Sequence, residues 1–262
     1  MKECKEFKKV AIQAALKTGE ILNKNRGRIK RVNYKGKINI VTEIDLLSER
    51  AILKIVKKNY PDHSILAEES KEQKTGSEYK WIIDPLDGTT NYAHDFPSYC
   101  ISIALEKGGK VILGVVYNPL LEELFTVEAG KGAFLNKRGI FVSSTRDLSK
   151  SFLATGFPYD IRESEITNLD HFANFAVRSL AIRRAGSAAL DLCYLAMGRF
   201  DGFWELKLSP WDTAAATLLV KEAGGKVTDF EGGEFTIYSE HLLASNGRIH
   251  KQMLKVLKLG KF

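Results

Sequence analysis

Cysteine is scarce in this chain of 262 residues: Cys4, Cys100 and Cys193 stand far apart and are odd in number. They suggest neither a disulfide framework nor a zinc spacing, which suits a reducing cytoplasm. The five histidines form no HxH or HExxH pattern, so a soft-metal centre is not expected and oxygen-ligated Mg²⁺ is the natural candidate. Long apolar runs are missing too. No stretch approaches the ~18 residues of a membrane span, and no signal-type apolar segment follows the mixed lysines and acids of Met1 to Lys9. Repeats, low-complexity tracts and long linkers are also absent. These absences point to a cytoplasmic protein with no membrane attachment.

What is present is the material of a soluble globular chain, 44% hydrophobic and 27% charged, with enough length for an ample core. The net charge of +7 favours anionic ligands. The basic residues are scattered rather than massed in one arm, so nucleic acid is not the expected partner, although the charge permits it.

Apolar periodicity predicts helices over residues 4–24 and from about 43 to Asn59, the second stopped by Tyr60-Pro61. Asn25 to Lys37 is basic and reads as a loop or irregular hairpin, and 38–42 as a strand. A strand at 64–67 delivers Glu68 and Glu69, and the charged segment Lys71 to Lys80 reads as a surface loop. Runs near 99–106, 111–117 and 124–127 fit an antiparallel meander. Beyond about 145 the pattern alternates. Strands are expected at 152–155, 181–183, 200–205 and 226–228, and helices near 167–178, 187–197, 210–223 and 248–258, which argues for an α/β second half.

One stretch concentrates chemistry. Trp81-Ile82-Ile83 reads as a buried strand, and Asp84-Pro85-Leu86-Asp87-Gly88-Thr89-Thr90-Asn91 follows it. Asp-Pro favours a type I turn, which would hold the Cα atoms of Asp84 and Asp87 within about 7 Å. Two acids that close repel unless cations lie between them, and Gly88 lets backbone N–H groups approach a phosphate. Its first half, taken alone, is an ordinary Asp-Pro turn. Glu68, in Ala67-Glu68-Glu69-Ser70, has the competing reading of a surface acid. Ser209-Pro210-Trp211-Asp212 by itself reads as a helix start, with Ser209 as N-cap, Pro210 at N1 and Asp212 at N3.

Taken together these segments resemble the inositol monophosphatase family of metal-dependent phosphatases. The resemblance runs along the chain in the family's order: Val41-Thr42-Glu43-Ile44-Asp45, Ala67 to Ser70, Trp81 to Asn91, Gly186-Ser187-Ala188, Glu205, Trp211-Asp212 and Glu222-Ala223-Gly224-Gly225. Ala67 stands where many members carry glycine. The resemblance implies Mg²⁺ held by Glu68, Asp84, the Leu86 carbonyl, Asp87 and Asp212, with Asp45 serving a third ion through water. It implies that Gly88 and Thr89 receive the phosphate on backbone N–H groups, alongside Leu86 and Asp212. Glu68 and the Thr89 hydroxyl would orient and deprotonate the attacking water. Ala188, Glu205 and Asp87 would contact the alcohol, and Arg183 would lie near the substrate pocket.

The resemblance further implies a layered α-β-α-β-α sandwich, an α+β half over 1–144 and an α/β half over 145–262 forming one compact unit, and a homodimer. The expected activity is hydrolysis of a phosphate monoester, inositol 1-phosphate first. Fructose 1,6-bisphosphate, a nucleotide 3′-phosphate, and a regulatory contact with RNA or the transcription machinery remain as alternatives; Arg183, Arg184 and Lys207 are the cations that could meet a second phosphate. The Asp-x-x-Asp spacing deep in the chain differs from the Asp-x-Asp of haloacid-dehalogenase-type phosphatases.

Overall fold

The computed structural model describes residues 2–28, 32–34 and 40–261, with side chains over 5–28 and 41–261. Helix α1 (Lys2–Asn25) leads to a ribbon in which β1 (Val32–Tyr34) pairs antiparallel with β2 (Ile40–Thr42). The ribbon agrees with the hairpin reading of the basic segment and, over 40–42, with the expected strand; residues 29–31 and 35–39, including 38–39 of that strand, lie outside the described residues. Helix α2 (Glu43–Asn59) starts on a capping box: Thr42 N–H donates to Asp45 Oδ2 at 2.8 Å, and Ile44 N–H to Thr42 Oγ1 at 3.1 Å.

Strands β3 (Ser64–Ala67) and β4 (Tyr79–Asp87) pair in parallel, and the short helix α3 (Thr89–Ala93) follows. Then come β5 (Cys100–Lys107), β6 (Lys110–Asn118), β7 (Glu123–Glu128), β8 (Ala133–Leu135) and β9 (Arg138–Ile140), each antiparallel to the one before, in a seven-stranded sheet ordered β3 to β9. The small hairpin β8–β9 extends the expected meander. Part of the expected loop 71–80 is also tied down: Gln73 exchanges both backbone hydrogen bonds with Ile65, and Tyr79 and Lys80 belong to β4.

The second sheet comprises β10 (Phe152–Thr155), β11 (Ala181–Arg183), β12 (Gly202–Leu206), β13 (Lys226–Thr228) and β14 (His241–Ser245), in the order β11-β10-β12-β14-β13. β10 runs parallel to both neighbours, and β14 antiparallel to both of its own. Its helices are α4 (Leu169–Ala176), α5 (Ala188–Ala196), α6 (Pro210–Glu222) and α7 (His250–Leu257).

Three apolar layers join these parts. Alternate residues of the large sheet, among them Trp81, Ile83, Ile101, Ile103 and Val115, pack under α1 and α2. The opposite set, Ile82, Cys100, Ala104, Val116 and Phe125, packs with α5, α6 and the small sheet. Leu153, Trp204 and Leu243, on the far face of the small sheet, meet Phe175 of α4 and Met253 of α7. The result is the expected α-β-α-β-α sandwich. Helix α6 is buried from Thr213 to Val220, as a helix packed between two sheets must be. A Cβ on Gly114 would lie 2.9 Å from Ala215 Cα, so the helix backbone rests directly on β6. Cys100 and Cys193 are free and buried within this middle layer. No described helix is long and apolar enough to cross a membrane.

One local expectation is corrected. Asp84-Pro85-Leu86-Asp87 continues β4 rather than ending it in a type I turn. Asp84 pairs with Ser102 and Asp87 with Cys100, so β4 carries one extra residue against β5. That is a β-bulge, which accommodates Pro85 and brings both acids to the same end of the strand.

Candidate active site

A cleft of about 150 Å³ opens where the ends of β4 and β12 meet the N-termini of α5 and α6. Glu68, Asp84, Leu86, Asp87, Gly88, Thr89, Ala188, Glu205 and Asp212 all line it. Carboxylate oxygens of Asp84, Asp87 and Asp212 lie within 4.8 Å of one another. Their origin is mixed: Asp84 and Asp87 come from the bulge, and Asp212 from the first turn of α6.

Each acid is oriented by backbone or side chain. Asp84 Oδ1 accepts the Leu86 N–H at 2.9 Å, a bond across the bulge. Asp87 Oδ2 accepts from Ser187 Oγ at 2.6 Å and from Ala189 N–H at 2.8 Å, so the first turn of α5 is aimed at this carboxylate. Asp212 Oδ2 accepts the Ser209 N–H at 2.7 Å, the cap read from sequence; capping and membership of the cluster coexist in one side chain. The Glu68 N–H donates to Ile83 O at 3.2 Å, which holds Glu68 beside Asp84.

Burial and mutual repulsion act together on these groups. Asp84 is held well above the usual carboxylate range, by burial first and then by Glu68, Asp87 and Asp212. Burial likewise raises Asp212, with Asp87 and Glu68 adding to it. Asp87 is pushed up to about 6 by burial, against the opposing hydrogen bonds from Ser187 and Ala189. Three aspartates with raised proton affinity, beside Glu68, form an all-oxygen donor set that a hard divalent cation would relieve.

Gly88 has φ +91°, and a Cβ there would lie 2.7 Å from Ser98 O, so only glycine fits between the bulge and α3. The Thr89 hydroxyl lies 2.8 Å from Asp45 Oδ1 and 3.1 Å from the Leu86 carbonyl. Asp45 is buried behind it and does not line the cleft.

Arg183 does not line the cleft. Its guanidinium stacks 4.8 Å from the centroid of Phe152, while the next residue, Arg184, does line it. Neighbouring residues at a strand end face opposite ways, so a shift of one position exchanges the two arginines. Lys207 also lines the cleft, and donates to Asp160 Oδ2 at 2.6 Å and Ser164 Oγ at 2.8 Å. Two participants escaped the sequence reading: Ser187, which buttresses Asp87, and Asp191, an acid inside the apolar helix Ala188–Ala196. An acid within an otherwise buried helix was the available signal for the second.

A layered sandwich that converges three aspartates and a glutamate on one cleft defines a protein of the metal-dependent phosphatase superfamily type. The chain belongs to the inositol monophosphatase family, whose profile matches residues 3–259. It is 42% identical over 248 residues to Nus factor SuhB of Salmonella typhimurium, covering 94% of this chain and 93% of that protein. It is equally 42% identical over 250 residues to an inositol-1-monophosphatase of Synechocystis sp., covering 95% and 87%. The structure of inositol monophosphatase from Anabaena (Nostoc) sp. superposes with a TM-score of 0.89 at 44% identity, covering 97% of this chain and 96% of that one.

Proposed function

We propose that the protein is a Mg²⁺-dependent hydrolase of phosphate monoesters, acting first on inositol 1-phosphate to give inositol and phosphate. The observation that carries the reading is the approach of Asp84, Asp87 and Asp212 carboxylate oxygens to within 4.8 Å at the floor of a cleft that also contains Glu68. Glu68, Asp84, the Leu86 carbonyl, Asp87 and Asp212 would hold Mg²⁺, with Asp45 supporting a further ion through water. Bound there, Mg²⁺ supplies positive charge against the phosphate oxygens and makes water more acidic.

The chain's own groups do the rest. Gly88 and Thr89 offer backbone N–H groups to the phosphate, and Leu86 and Asp212 also border the substrate. The Thr89 hydroxyl donates a hydrogen bond to Asp45 Oδ1 or to the Leu86 carbonyl, leaving its oxygen lone pairs to orient the attacking water. Glu68 takes a proton from that water. Ala188, Asp87 and Glu205 meet the alcohol. In this arrangement no serine or cysteine nucleophile is needed; the barrier is mainly charge, and the residues are arranged to manage charge.

Two other readings have specific support. Arg184 and Lys207 on the cleft wall would suit a second phosphate, as in fructose 1,6-bisphosphate. The 42% identity to proteins named Nus factor SuhB supports a contact with the transcription machinery beside catalysis. A phosphate-release panel separates these, comparing inositol 1-phosphate, fructose 1,6-bisphosphate and 3′-phosphoadenosine 5′-phosphate with and without Mg²⁺. We expect release from inositol 1-phosphate to dominate and to vanish with chelator. Asp87→Asn should reduce it by more than the roughly 10–100-fold typical of losing a supporting partner, with the fold intact by circular dichroism. Near-wild-type turnover in that variant would sink the assignment, and salt-dependent RNA binding that survives it would mark a separate regulatory activity.

A further inference from the structure

Two acids on the cleft wall stand outside the three-aspartate cluster: Asp191 of α5 and Glu205 of β12. Asp191 is only 2% exposed, and its Oδ1 is buried without a hydrogen-bond partner among the described residues. Glu205 is 8% exposed, and no described residue hydrogen-bonds to its carboxylate. That carboxylate lies where a Cβ on Gly156 would be, 2.0 Å from Oε1 and 2.4 Å from Oε2, so Gly156 leaves the space it occupies. Arg184 is the cation that acts on both acids, yet it is exposed and makes no ion pair within 4.0 Å with either.

This part of the wall therefore offers buried acceptors without donors. A buried acceptor left unmatched costs free energy, and nearly all such groups in folded proteins are matched. Helix stability does not account for Asp191, because an acid in the first turn of α5 would serve the helix dipole as well if it were solvated. What would satisfy these oxygens is a ligand rich in hydroxyl donors. An alkyl or aryl alcohol would leave them unmatched, and sites built to hydrogen-bond a hydroxyl discriminate strongly against analogues that lack it.

We propose that Asp191 is a specificity-determining residue: with Glu205 it accepts hydrogen bonds from hydroxyls on the alcohol part of a polyol phosphate, directly or through one water, and selects polyols over alkyl and aryl alcohols. The inference rests on the phosphatase reading above and names a part of that site. The test measures kcat and KM for inositol 1-phosphate and for p-nitrophenyl phosphate in the wild type, Asp191→Asn and Asp191→Ala. Asp191→Asn keeps the volume and carries the test if Asp191→Ala fails to fold.

The preference for the polyol ester, as a ratio of kcat/KM values, should fall by about tenfold or more, the size expected for a hydrogen bond to a charged group. The loss should fall mainly on KM for inositol 1-phosphate. An unchanged ratio overturns the assignment of Asp191 while leaving the phosphatase intact. Equal losses on both esters with a lowered unfolding midpoint also overturn it, since they mark a purely structural role. Release of phosphate from neither ester by the wild type overturns the phosphatase reading and this assignment with it.

Discussion

Asp84 is 1% exposed and surrounded by acids, and Leu86 N–H is its one backbone donor. Without a cation the cluster opposes folding, so neutralising a member should help the metal-free protein. Asp84→Asn keeps the acceptor for Leu86 N–H and should raise metal-free stability by on the order of 1 kcal/mol. If the cluster holds Mg²⁺ as proposed, the wild type should melt higher with the ion and this variant should not; a thermal melt with and without Mg²⁺ checks both. Gly88→Ala should act in the opposite sense. The left-handed backbone costs about 1–2 kcal/mol for a residue with a Cβ, and the approach to Ser98 O adds to it, which a urea titration would record. Taken singly, Glu68, Asp84, Asp87 and Asp212 read as a surface acid, a turn and a helix cap; only their order along the chain, matched to the family, set them together, and the structure lines one cleft with all four. Arg183 was expected near the pocket by position in the family alone, and the structure stacks it on Phe152 while Arg184 lines the cleft. Asp191 was hidden in an apolar helix whose face toward the cleft depends on where α5 docks.

Elements show the same division between local and distant causes. The strands at 64–67, 152–155, 181–183 and 226–228 stand where the apolar runs predicted them. The Asp-Pro segment did not, because a turn and a bulge share one local signal and only pairing with β5 decides between them. β14, inside its sheet between β12 and the edge strand β13, was missed: His241-Leu242-Leu243-Ala244-Ser245 is short and apolar without alternation. The junction of β13, β14 and α7 also carries a pH dependence. His250 is buried between Thr228 Oγ1, 2.9 Å from Nε2, and Ser245 Oγ, 2.8 Å from Nδ1, and burial lowers its pKa from 6.5 to about 4. Between those values the unfolded chain binds a proton that the folded one refuses, so this contribution is complete above pH 6.5 and declines as pH falls toward 4. His250→Gln should flatten the loss of stability across that window, measured as urea midpoints at successive pH values.

At the scale of the whole molecule, residues on either side of position 145 share one middle layer. Ile82, Cys100, Val116 and Phe125 of the large sheet are buried by α5 and α6 from the other side. Residues 1–144 expressed alone should therefore expose an apolar sheet face and aggregate, and the full chain should unfold in one cooperative transition. Separate calorimetric transitions, or a soluble and folded 1–144 fragment, would contradict this. Helix α6 enters that layer with Asp212 at its first turn, far along the chain from Asp84. Contacts between distant segments form slowly, because the chain must close a long loop before they are rewarded. In a refolding experiment the cation site should therefore be among the last features to appear. Secondary structure would recover first and the proposed Mg²⁺ affinity would lag behind it, so the acids of a newly made chain would converge only after the sandwich had closed.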